Sequence, residues 1–212
     1  GSLHDDLCVG GFQRLHAAAS LHHLVHLTPV QLLEAVMVTI RAEIPADVTA
    51  REALLDRAFG RTRQRKTSQR FRDDRLPAEG LAFTALSNSG RVIGTLRMWN
   101  VIAGSAGPAL LLGPLAVDGR YQRRGIGGEL MTHALNMAKV LGHASVLLVG
   151  DEPYYSRFGF TRNLVADLHL PGPVDRNRFL GLELVPDALD GAEGLVMASG
   201  ALAPAVGKIL AA

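Results

Sequence analysis

From residue 37 onward, the alternation of apolar and polar positions predicts a strand, a helix and a basic stretch. Residues 38–41 contain β-branched side chains that favour a short strand. A helix-start signal at Pro45 follows, and apolar residues then recur at spacings of three and four until Gly60 ends the helix. Residues 61–75 are basic and polar, so we expect a second helix or a loop at the surface.

The next segments predict a hairpin and a buried strand. Residues 81–86 and 91–101 have strand-like compositions, and the Ser, Asn and Gly residues between them favour a turn. Residues 109–117 are almost entirely apolar, as expected of a strand buried on both faces.

A long amphipathic helix is predicted over residues 125–141, with Gly142 as its C-terminal cap. Its apolar face consists of Ile126, Leu130, Ala134, Leu135, Ala138 and Leu141. The elements predicted after this helix are a buried strand at 145–149, a short helix at 153–157, and late strands at 180–185 and 194–198. Helices precede and interrupt strands that are mostly adjacent in sequence, which indicates an α+β fold or an α/β fold with a mixed sheet.

Residues 1–36 differ in composition from the rest of the chain and look like an extension. Gly1-Ser2 resembles the remnant of a cleaved tag. Residues 28–31 have the pattern of a capping box, which predicts an appended helix. We therefore place the working domain at residues 37–212 and interpret residues 1–36 as an appended helix or the product of an upstream start codon.

Composition and charge narrow the function classes. A chain of 212 residues fits one domain, or one domain with an appendage. Its formal charge of +2 is too small for the dense basic face of a general nucleic-acid binder. We find no apolar run long enough to cross a membrane and no secretory signal pattern, so we expect a soluble, cytoplasmic protein.

No metal site or disulfide is expected. Cys8 is the chain's one cysteine, which excludes an internal disulfide and a cysteine-based zinc site. Five of the eight histidines lie within residues 1–36, but no carboxylate or cysteine shares a convincing ligand spacing with them.

The segment between the buried strand and the long helix predicts a pyrophosphate site. Gly125, Gly127 and Gly128 let the backbone approach a ligand closely, and a helix N-terminus favours anions. Arg123 and Arg124 add charges suited to phosphate oxygens. The alternative is that the glycines only relieve crowding where the helix leaves the strand.

Two other nucleotide-binding motifs fit this segment less well. A dinucleotide-binding fingerprint needs a third glycine or alanine where Leu130 stands, and its strand should end close to the first glycine rather than at Val117. The lysine–serine pair of a Walker motif does not follow.

Two motifs in this order resemble those of the GNAT superfamily of N-acetyltransferases. The family's acetyl-CoA pyrophosphate loop resembles residues 122–127 (Gln-x-x-Gly-x-Gly), and its fourth strand resembles residues 113–117. Residues 150–160 (Gly-Asp-Glu-Pro-Tyr-Tyr-Ser-Arg-Phe-Gly-Phe) are similar to a segment of small bacterial members. The resemblance covers residues 37–198 and implies a central, twisted, mostly antiparallel mixed sheet flanked by helices.

The resemblance implies acetyl-CoA as cofactor. Strand residues 115–117 would offer backbone groups to the pantetheine arm, which lies against them like an added strand. The amides of residues 123–128 would hold the pyrophosphate. The expected cofactor-binding residues are Leu115, Ala116, Val117, Gln122, Arg123, Arg124, Gly125, Ile126, Gly127, Gly128 and Tyr154.

The resemblance also implies direct transfer of an acetyl group to an amine in a ternary complex. The amine, with a pKa of about 10, must lose a proton before it attacks the thioester. Tyr155 matches the tyrosine that, in many members, faces the sulfur and protonates the leaving thiolate. The alternative for Tyr155 is an aromatic ring that packs on Phe158 and Phe160. Cys8 has no nucleophile motif, which favours direct transfer over an acyl-cysteine intermediate.

The sequence leaves the general base open. Some members carry a glutamate on the fourth strand, but residues 110–117 contain no ionisable side chain. The candidates are Asp118, His143, Asp151, Glu152 and a water that relays the proton to bulk solvent. Asp118 could instead serve the turn, and Glu152 the first turn of the short helix.

The sequence gives fewer signals for the acceptor site and for the oligomeric state. Arg97 and Trp99, together with residues 61–75, could border a site for a small or peptidyl amine. The alternative function is a non-catalytic acyl-CoA sensor or interaction module, which the missing base favours. A homodimer is expected only by analogy with the superfamily.

Overall fold

The described part of the chain comprises residues 38–65 and 67–204 of a computed structural model, in which three helices separate groups of strands. The strands are β1 (Thr39–Ala42), β2 (Ala82–Leu86), β3 (Val92–Ala103), β4 (Pro108–Val117), β5 (Ser145–Val149), β6 (Asp167–His169), β7 (Phe179–Glu183) and β8 (Glu193–Ala198). The helices are α1 (Val48–Phe59), α2 (Ile126–Val140) and the single turn α3 (Glu152–Tyr155). Two 3₁₀ turns, Arg61–Arg65 and Thr67–Phe71, follow α1.

Within residues 38–204 the strands form one mixed sheet. Its main path runs β1-β2-β3-β4-β5-β7. Neighbours on this path are antiparallel except β4 and β5, which are parallel. β8 pairs antiparallel with the end of β3, and β6 pairs parallel with β8. The predicted α+β fold, with a mostly antiparallel mixed sheet flanked by helices, is confirmed.

Both long helices pack on the sheet through apolar residues, α2 through most of its predicted apolar face and α1 through Leu54 and Leu55, whereas the other apolar residues predicted for α1, Ala53, Ala58 and Phe59, are exposed. In α2 the buried residues are Ile126, Leu130, Met131, Ala134, Leu135 and Ala138. Gly94 of β3 lies beneath them, and a β-carbon there would be 3.0 Å from Leu130 Cδ1, so glycine permits the close packing. Leu54 and Leu55 of α1 pack on Ala116 of β4.

Three expectations need correction. Leu141, predicted to lie on the apolar face of α2, is instead the C-cap residue of that helix and is 47 % exposed, so the buried face ends at Ala138. Residues 61–75, expected as a helix or loop at the surface, contain two 3₁₀ turns. Phe71, at the end of the second turn, is buried in the core, so the segment does not lie wholly at the surface. β6 was not predicted at all. Most other boundaries agree within two residues, and β5 agrees fully.

Residues 1–37 and 205–212 lie outside the described part of the chain. The helix predicted after Thr28, the histidine-rich segment and Cys8 all lie there. The domain boundary at residue 37 therefore stays a prediction.

Candidate active site

The candidate active site begins where β4 and β5 separate. The two strands pair only from Leu110 to Leu112 of β4, whereas β4 continues beside β3 as far as Val117. The β5-facing edge of residues 113–117 therefore lacks a strand partner among the described residues. Such an edge can accept an extended ligand as an added strand.

A β-bulge marks the point of separation. Leu96 and Met98 of β3 pair with Leu115 and Leu112, so two residues of β4 stand opposite Arg97 alone. Bulges of this kind bend a strand and redirect its side chains. The indole Nε1 of Trp99 donates a hydrogen bond of 2.6 Å to the carbonyl oxygen of Gly113 and so holds the bulge.

A cavity of about 310 Å³ opens at this separation. Its walls are formed by the end of α1, the two 3₁₀ turns, the diverging ends of β4 and β5, and residues 150–162, which include α3 and are called the α3 segment below. The lining residues are Phe59, Arg63, Ser68, Gln69, Arg72, Leu111, Leu112, Gly113, Pro114, Leu115, Val149, Gly150, Asp151, Tyr155 and Arg178. A concave site of this size is typical of a small-molecule pocket.

Tyr155 lines the cavity from α3, and its ring lies directly on Gly150. The same ring packs edge-on against Phe160, with centroids 6.0 Å apart. Burial, followed by the nearby Tyr154 and Asp151, raises the pKa of the Tyr155 phenol to about 12. The phenol is therefore protonated at neutral pH. The position in the cavity agrees with the interpretation of Tyr155 as a site residue. The packing interpretation holds for Phe160, whereas the ring of Phe158 contacts Tyr154 instead, with centroids 5.8 Å apart.

The predicted phosphate loop follows β4 directly. The side chain of Gln122 donates to the carbonyl oxygen of Val117 at 3.4 Å, which ties the loop to the end of the strand. Arg123 and Gly125 have φ values of 63° and 82°. These left-handed residues turn the chain into α2, whose first-turn N–H groups have no partner within the helix. Arg123 and Arg124 are exposed beside them.

Tyr154 and Arg157 join this loop from the α3 segment. A β-carbon on Gly127 would lie 2.8 Å from the Tyr154 hydroxyl oxygen. The guanidinium of Arg157 lies 4.1 Å from the centroid of the Tyr154 ring. A β-carbon on Gly128 would lie 3.9 Å from Arg157 Nη2. Sequence reasoning missed Arg157 as a third cation near the N-terminus of α2, although the aromatic residues around it were a signal.

Asp151 and Glu152, two of the base candidates, are already ion-paired. Asp151 lines the cavity, where its carboxylate lies 3.2 Å from Arg178. It contributes the only carboxylate among the described residues that line the cavity. Glu152 lies outside this lining and pairs with Arg162 at 3.0 Å.

Asp118 and His143 lie away from the cavity lining. Asp118 accepts hydrogen bonds from the backbone and side chain of Arg120, and this contact holds its pKa below the usual range. It therefore serves the turn after β4. His143 follows the C-terminal end of α2, and burial lowers its pKa.

Arg97 and Trp99, expected to border the acceptor site, do not line the cavity. The guanidinium of Arg97 binds the carboxylate of Glu43, which also accepts from Arg51. Trp99 is 5 % exposed and belongs to the core. From residues 61–75, by contrast, four side chains reach the cavity: Arg63, Ser68, Gln69 and Arg72.

The arginines of the cavity differ in their partners. Arg63 donates to Asp56 at 2.9 Å and to Glu52. The Nε of Arg72 is buried and has no hydrogen-bond partner among the described residues. Burial, followed by the charge of Arg63, lowers the pKa of Arg72 to about 10, so Arg72 remains a cation at neutral pH.

Comparison with known proteins identifies the family. The Acetyltransferase (GNAT) family matches residues 49–160, which is more than half of the chain. The chain belongs to the GNAT family of acetyltransferases. A curated relative, the uncharacterized N-acetyltransferase YhbS of Escherichia coli K12, is 35 % identical over 158 residues, covering 74 % of this GNAT chain and 93 % of YhbS. The predicted superfamily and the predicted N-acetyltransferase class are confirmed.

Two solved structures resemble this GNAT acetyltransferase in sequence and fold. Escherichia coli YhbS in complex with CoA has 32 % identity and a TM-score of 0.67, with 82 % of this chain and 93 % of that chain covered. A GNAT family acetyltransferase from Brucella melitensis in complex with acetyl-CoA has 27 % identity and a TM-score of 0.56, with 76 % and 95 % covered.

Two kinds of feature are absent from the described residues of the GNAT domain. Across residues 38–65 and 67–204, His, Cys, Asp and Glu form no cluster of three or more that could hold a metal ion. None of the helices described for this chain is both long and apolar enough to cross a membrane.

Proposed function

We propose that this GNAT chain transfers an acetyl group from acetyl-CoA to an amine by direct attack in a ternary complex. The observation that carries the proposal is the open edge of β4. This edge runs from the cavity at Gly113 to Val117, where the phosphate loop begins. At 3.3 Å per residue it spans about 13 Å, which suits an extended pantetheine arm.

The loop supplies the binding groups for the pyrophosphate. The free N–H groups of residues 126–128 and the positive end of the α2 dipole favour an anion. Arg123, Arg124 and Arg157 add positive charge around them. Tyr154, positioned over Gly127, forms one wall of the same site. The complexes of two relatives with CoA or acetyl-CoA support this assignment.

The cavity supplies the groups for acetyl transfer. The neutral amine attacks the thioester carbonyl, and the resulting oxyanion is stabilised by an N–H group of the β4 edge. Collapse of the intermediate breaks the C–S bond, so one proton moves overall from the amine to the CoA sulfur. Tyr155 donates a hydrogen bond to the leaving thiolate. Because a phenol with a pKa of about 12 is a weaker acid than a thiol, it passes on its proton only as it receives another.

A non-catalytic acyl-CoA sensor is the second candidate. The observation in its favour is that Asp151, the carboxylate of the cavity lining, is paired with Arg178. In the catalytic proposal the acceptor amine loses its proton to water, or to Asp151 once Arg178 has moved away. The two candidates differ in turnover and agree in acetyl-CoA binding.

A thermal melt with acetyl-CoA, and with NAD and ATP as controls, tests the binding site. At a concentration of about 100 times Kd, acetyl-CoA should add roughly 2.7 kcal/mol to the free energy of unfolding. This corresponds to a Tm rise of roughly 5–10 °C for a domain of this size. The absence of a rise would contradict the proposal.

Release of CoA in the presence of an amine panel then tests turnover. We expect release that depends on the amine and exceeds thioester hydrolysis. Stabilisation by acetyl-CoA without amine-dependent release would favour the sensor.

A further inference from the structure

We infer that the acceptor is an amine that also carries a carboxylate, and that Arg72 binds this carboxylate in the cavity. The inference rests on the proposed acetyl transfer and names its substrate class. The evidence is the difference in charge compensation between Arg72 and the other cations of the same cavity.

The other two arginines of the cavity lining are neutralised by the protein. Arg63 is bound by both Glu52 and Asp56 of α1. Arg178 is paired with Asp151 at the rim, where both side chains are substantially exposed. These pairs leave no carboxylate of the described cavity lining for a further cation, and the neighbouring Asp73, which lies outside the lining, forms no ion pair with Arg72 among the described contacts.

Arg72 has no such partner among the described residues. Its Nε is buried without a hydrogen bond, and its Nη2 lies 3.3 Å from where a β-carbon on Gly113 would be. The guanidinium thus lies over the β4 bulge, within the cavity that Tyr155 also lines. Arg72 as a whole is partly buried, and a guanidinium that is partly withdrawn from water without an anion is favourable ground for a carboxylate, which it can bind with two parallel hydrogen bonds.

The charge of the cavity leads to the same class of acceptor. With Arg63 and Arg178 paired to carboxylates, the charge of Arg72 is left uncompensated in the described lining, and it repels a simple ammonium ion. An amine with a carboxylate brings its own compensating charge. Arg72 also lowers the pKa of the bound ammonium and increases the fraction of free amine, which suits a site whose lining carboxylate is already paired.

Arg72 could instead act on the thioester oxygen, and the two roles predict different kinetics. A group that stabilises the oxyanion accelerates transfer to every acceptor by the same factor. A group that binds the carboxylate of the acceptor affects only acceptors that have one. The diagnostic quantity is therefore the ratio of kcat/KM between matched acids and amides.

The experiment compares glycine with glycinamide, alanine with alaninamide, β-alanine with its amide, and diglycine with its C-terminal amide. CoA release gives kcat/KM for the wild type, Arg72→Gln, Arg72→Lys and Arg70→Gln. Arg70 lies in the 3₁₀ turn that ends just before Arg72, outside the cavity lining, and its side chain donates to the carbonyl oxygen of Pro171 at 2.6 Å. Arg70→Gln therefore controls for the loss of one positive charge.

We expect the wild type to prefer the acid in at least one pair. Arg72→Gln should lower kcat/KM for that acid by about 10- to 100-fold, the range for a lost hydrogen bond to a charged group. Its amide should change by less than about threefold, since it makes no such bond. Arg72→Lys should retain part of the preference, and Arg70→Gln should retain it all.

Preference for the amides, equal rates for both members of every pair, or no turnover of any acid would overturn the inference. An equal loss for acid and amide in Arg72→Gln would also overturn it and assign Arg72 to the thioester. Because the wild-type ratio is measured independently, misfolding of a variant does not remove the test. Amine-dependent CoA release with the amides or with other amines of the panel, measured in parallel on the wild type, separates failure of this inference from failure of the acetyltransferase proposal.

Discussion

The hydroxyl oxygen of Tyr154 lies 2.8 Å from the position that a β-carbon on Gly127 would occupy. A contact this short is not tolerated by a real side chain, so the tyrosine occupies space that only glycine leaves open. Gly127 of the glycine motif and Tyr154 of the α3 segment therefore form one surface. The two sequence motifs are parts of the same site.

Alanine substitutions at the two neighbouring glycines test this surface. Gly127→Ala should displace Tyr154 and raise the Kd for acetyl-CoA by about 10-fold, the equivalent of about 1.4 kcal/mol. In Gly128→Ala the new β-carbon would lie 3.9 Å from Arg157 Nη2, an ordinary contact, so the matched change should have a smaller effect on Kd. Titration of each variant with acetyl-CoA measures the difference.

The same pair should differ in stability without ligand. Alanine in place of a helical glycine stabilises by up to about 1 kcal/mol, so Gly128→Ala should raise Tm by up to roughly 2–4 °C. Gly127→Ala should lack this gain, because the contact with Tyr154 offsets it. Equal Tm gains and equal Kd values for the two variants would contradict the close packing described here.

Tyr155→Phe should separate catalysis from cofactor binding. Loss of the phenol should reduce kcat by about 10²-fold, typical of a lost proton donor, with a smaller change in KM for acetyl-CoA. Tyr154→Phe is the matched control, for which we expect the larger effect on KM. Steady-state CoA release with a saturating amine measures both. A Tyr155→Phe enzyme with unchanged kcat would leave Tyr155 only its packing role.

The pH profile gives a second test of Tyr155. Its raised pKa of about 12 means that the phenol keeps its proton until the pH approaches that value. The wild-type kcat should therefore show no loss from this group between about pH 7 and 10. The phenol of Tyr155 would be half ionised only at about pH 12. A fall in kcat near pH 10 that disappears in Tyr155→Phe would contradict the raised pKa.

Arg157→Gln should weaken acetyl-CoA binding through electrostatics. We expect Kd to rise by about 3- to 10-fold at low salt, and the effect to shrink toward 1 M salt, where the Debye length is only about 3 Å. Arg162→Gln removes the same charge from the same segment, but Arg162 is paired with Glu152 at 3.0 Å. A similar Kd for both variants would argue against a phosphate contact by Arg157.

The loop and α2 could be predicted from the sequence because their signals are local. Five of the six apolar positions predicted to line one face of α2 are buried, and the glycines that begin the helix mark the turn directly. β6 gives no such signal. It has three residues, and its existence depends on pairing with Glu193, Gly194 and Leu195 of β8, which are distant in sequence.

For a similar reason, the sequence could not predict that Arg72 is the cavity arginine without a carboxylate partner. Residues 61–75 are rich in arginine, and nothing local distinguishes Arg63 from Arg72. The difference arises because the carboxylates of Glu52 and Asp56 on α1 face Arg63 in the folded chain. The sequence thus indicated the right segment for the acceptor site and could not indicate which charge remains unpaired.

Asp47→Asn should destabilise the fold by an amount that depends on pH. The Asp47 carboxylate is buried and accepts hydrogen bonds from both terminal nitrogens of Arg41, at 2.6 and 2.9 Å, and from the N–H of Ile44 at 3.0 Å. The contact with Arg41 holds the pKa of Asp47 below its usual range. Loss of these charged bonds should cost about 1–3 kcal/mol at pH 7.

The sign follows from the lowered pKa of the folded state. As the pH falls below about 4, the unfolded chain binds this proton first, which favours unfolding. The stabilisation from Asp47 is therefore complete above about pH 4 and is lost as the pH falls through the folded pKa. Denaturant unfolding of the wild type and Asp47→Asn should thus differ at pH 7 and converge toward pH 3. The exposed Asp190→Asn should stay within about 0.5 kcal/mol of the wild type at both pH values. A difference for Asp47→Asn that persists undiminished at low pH would show that the ionised carboxylate is not its source.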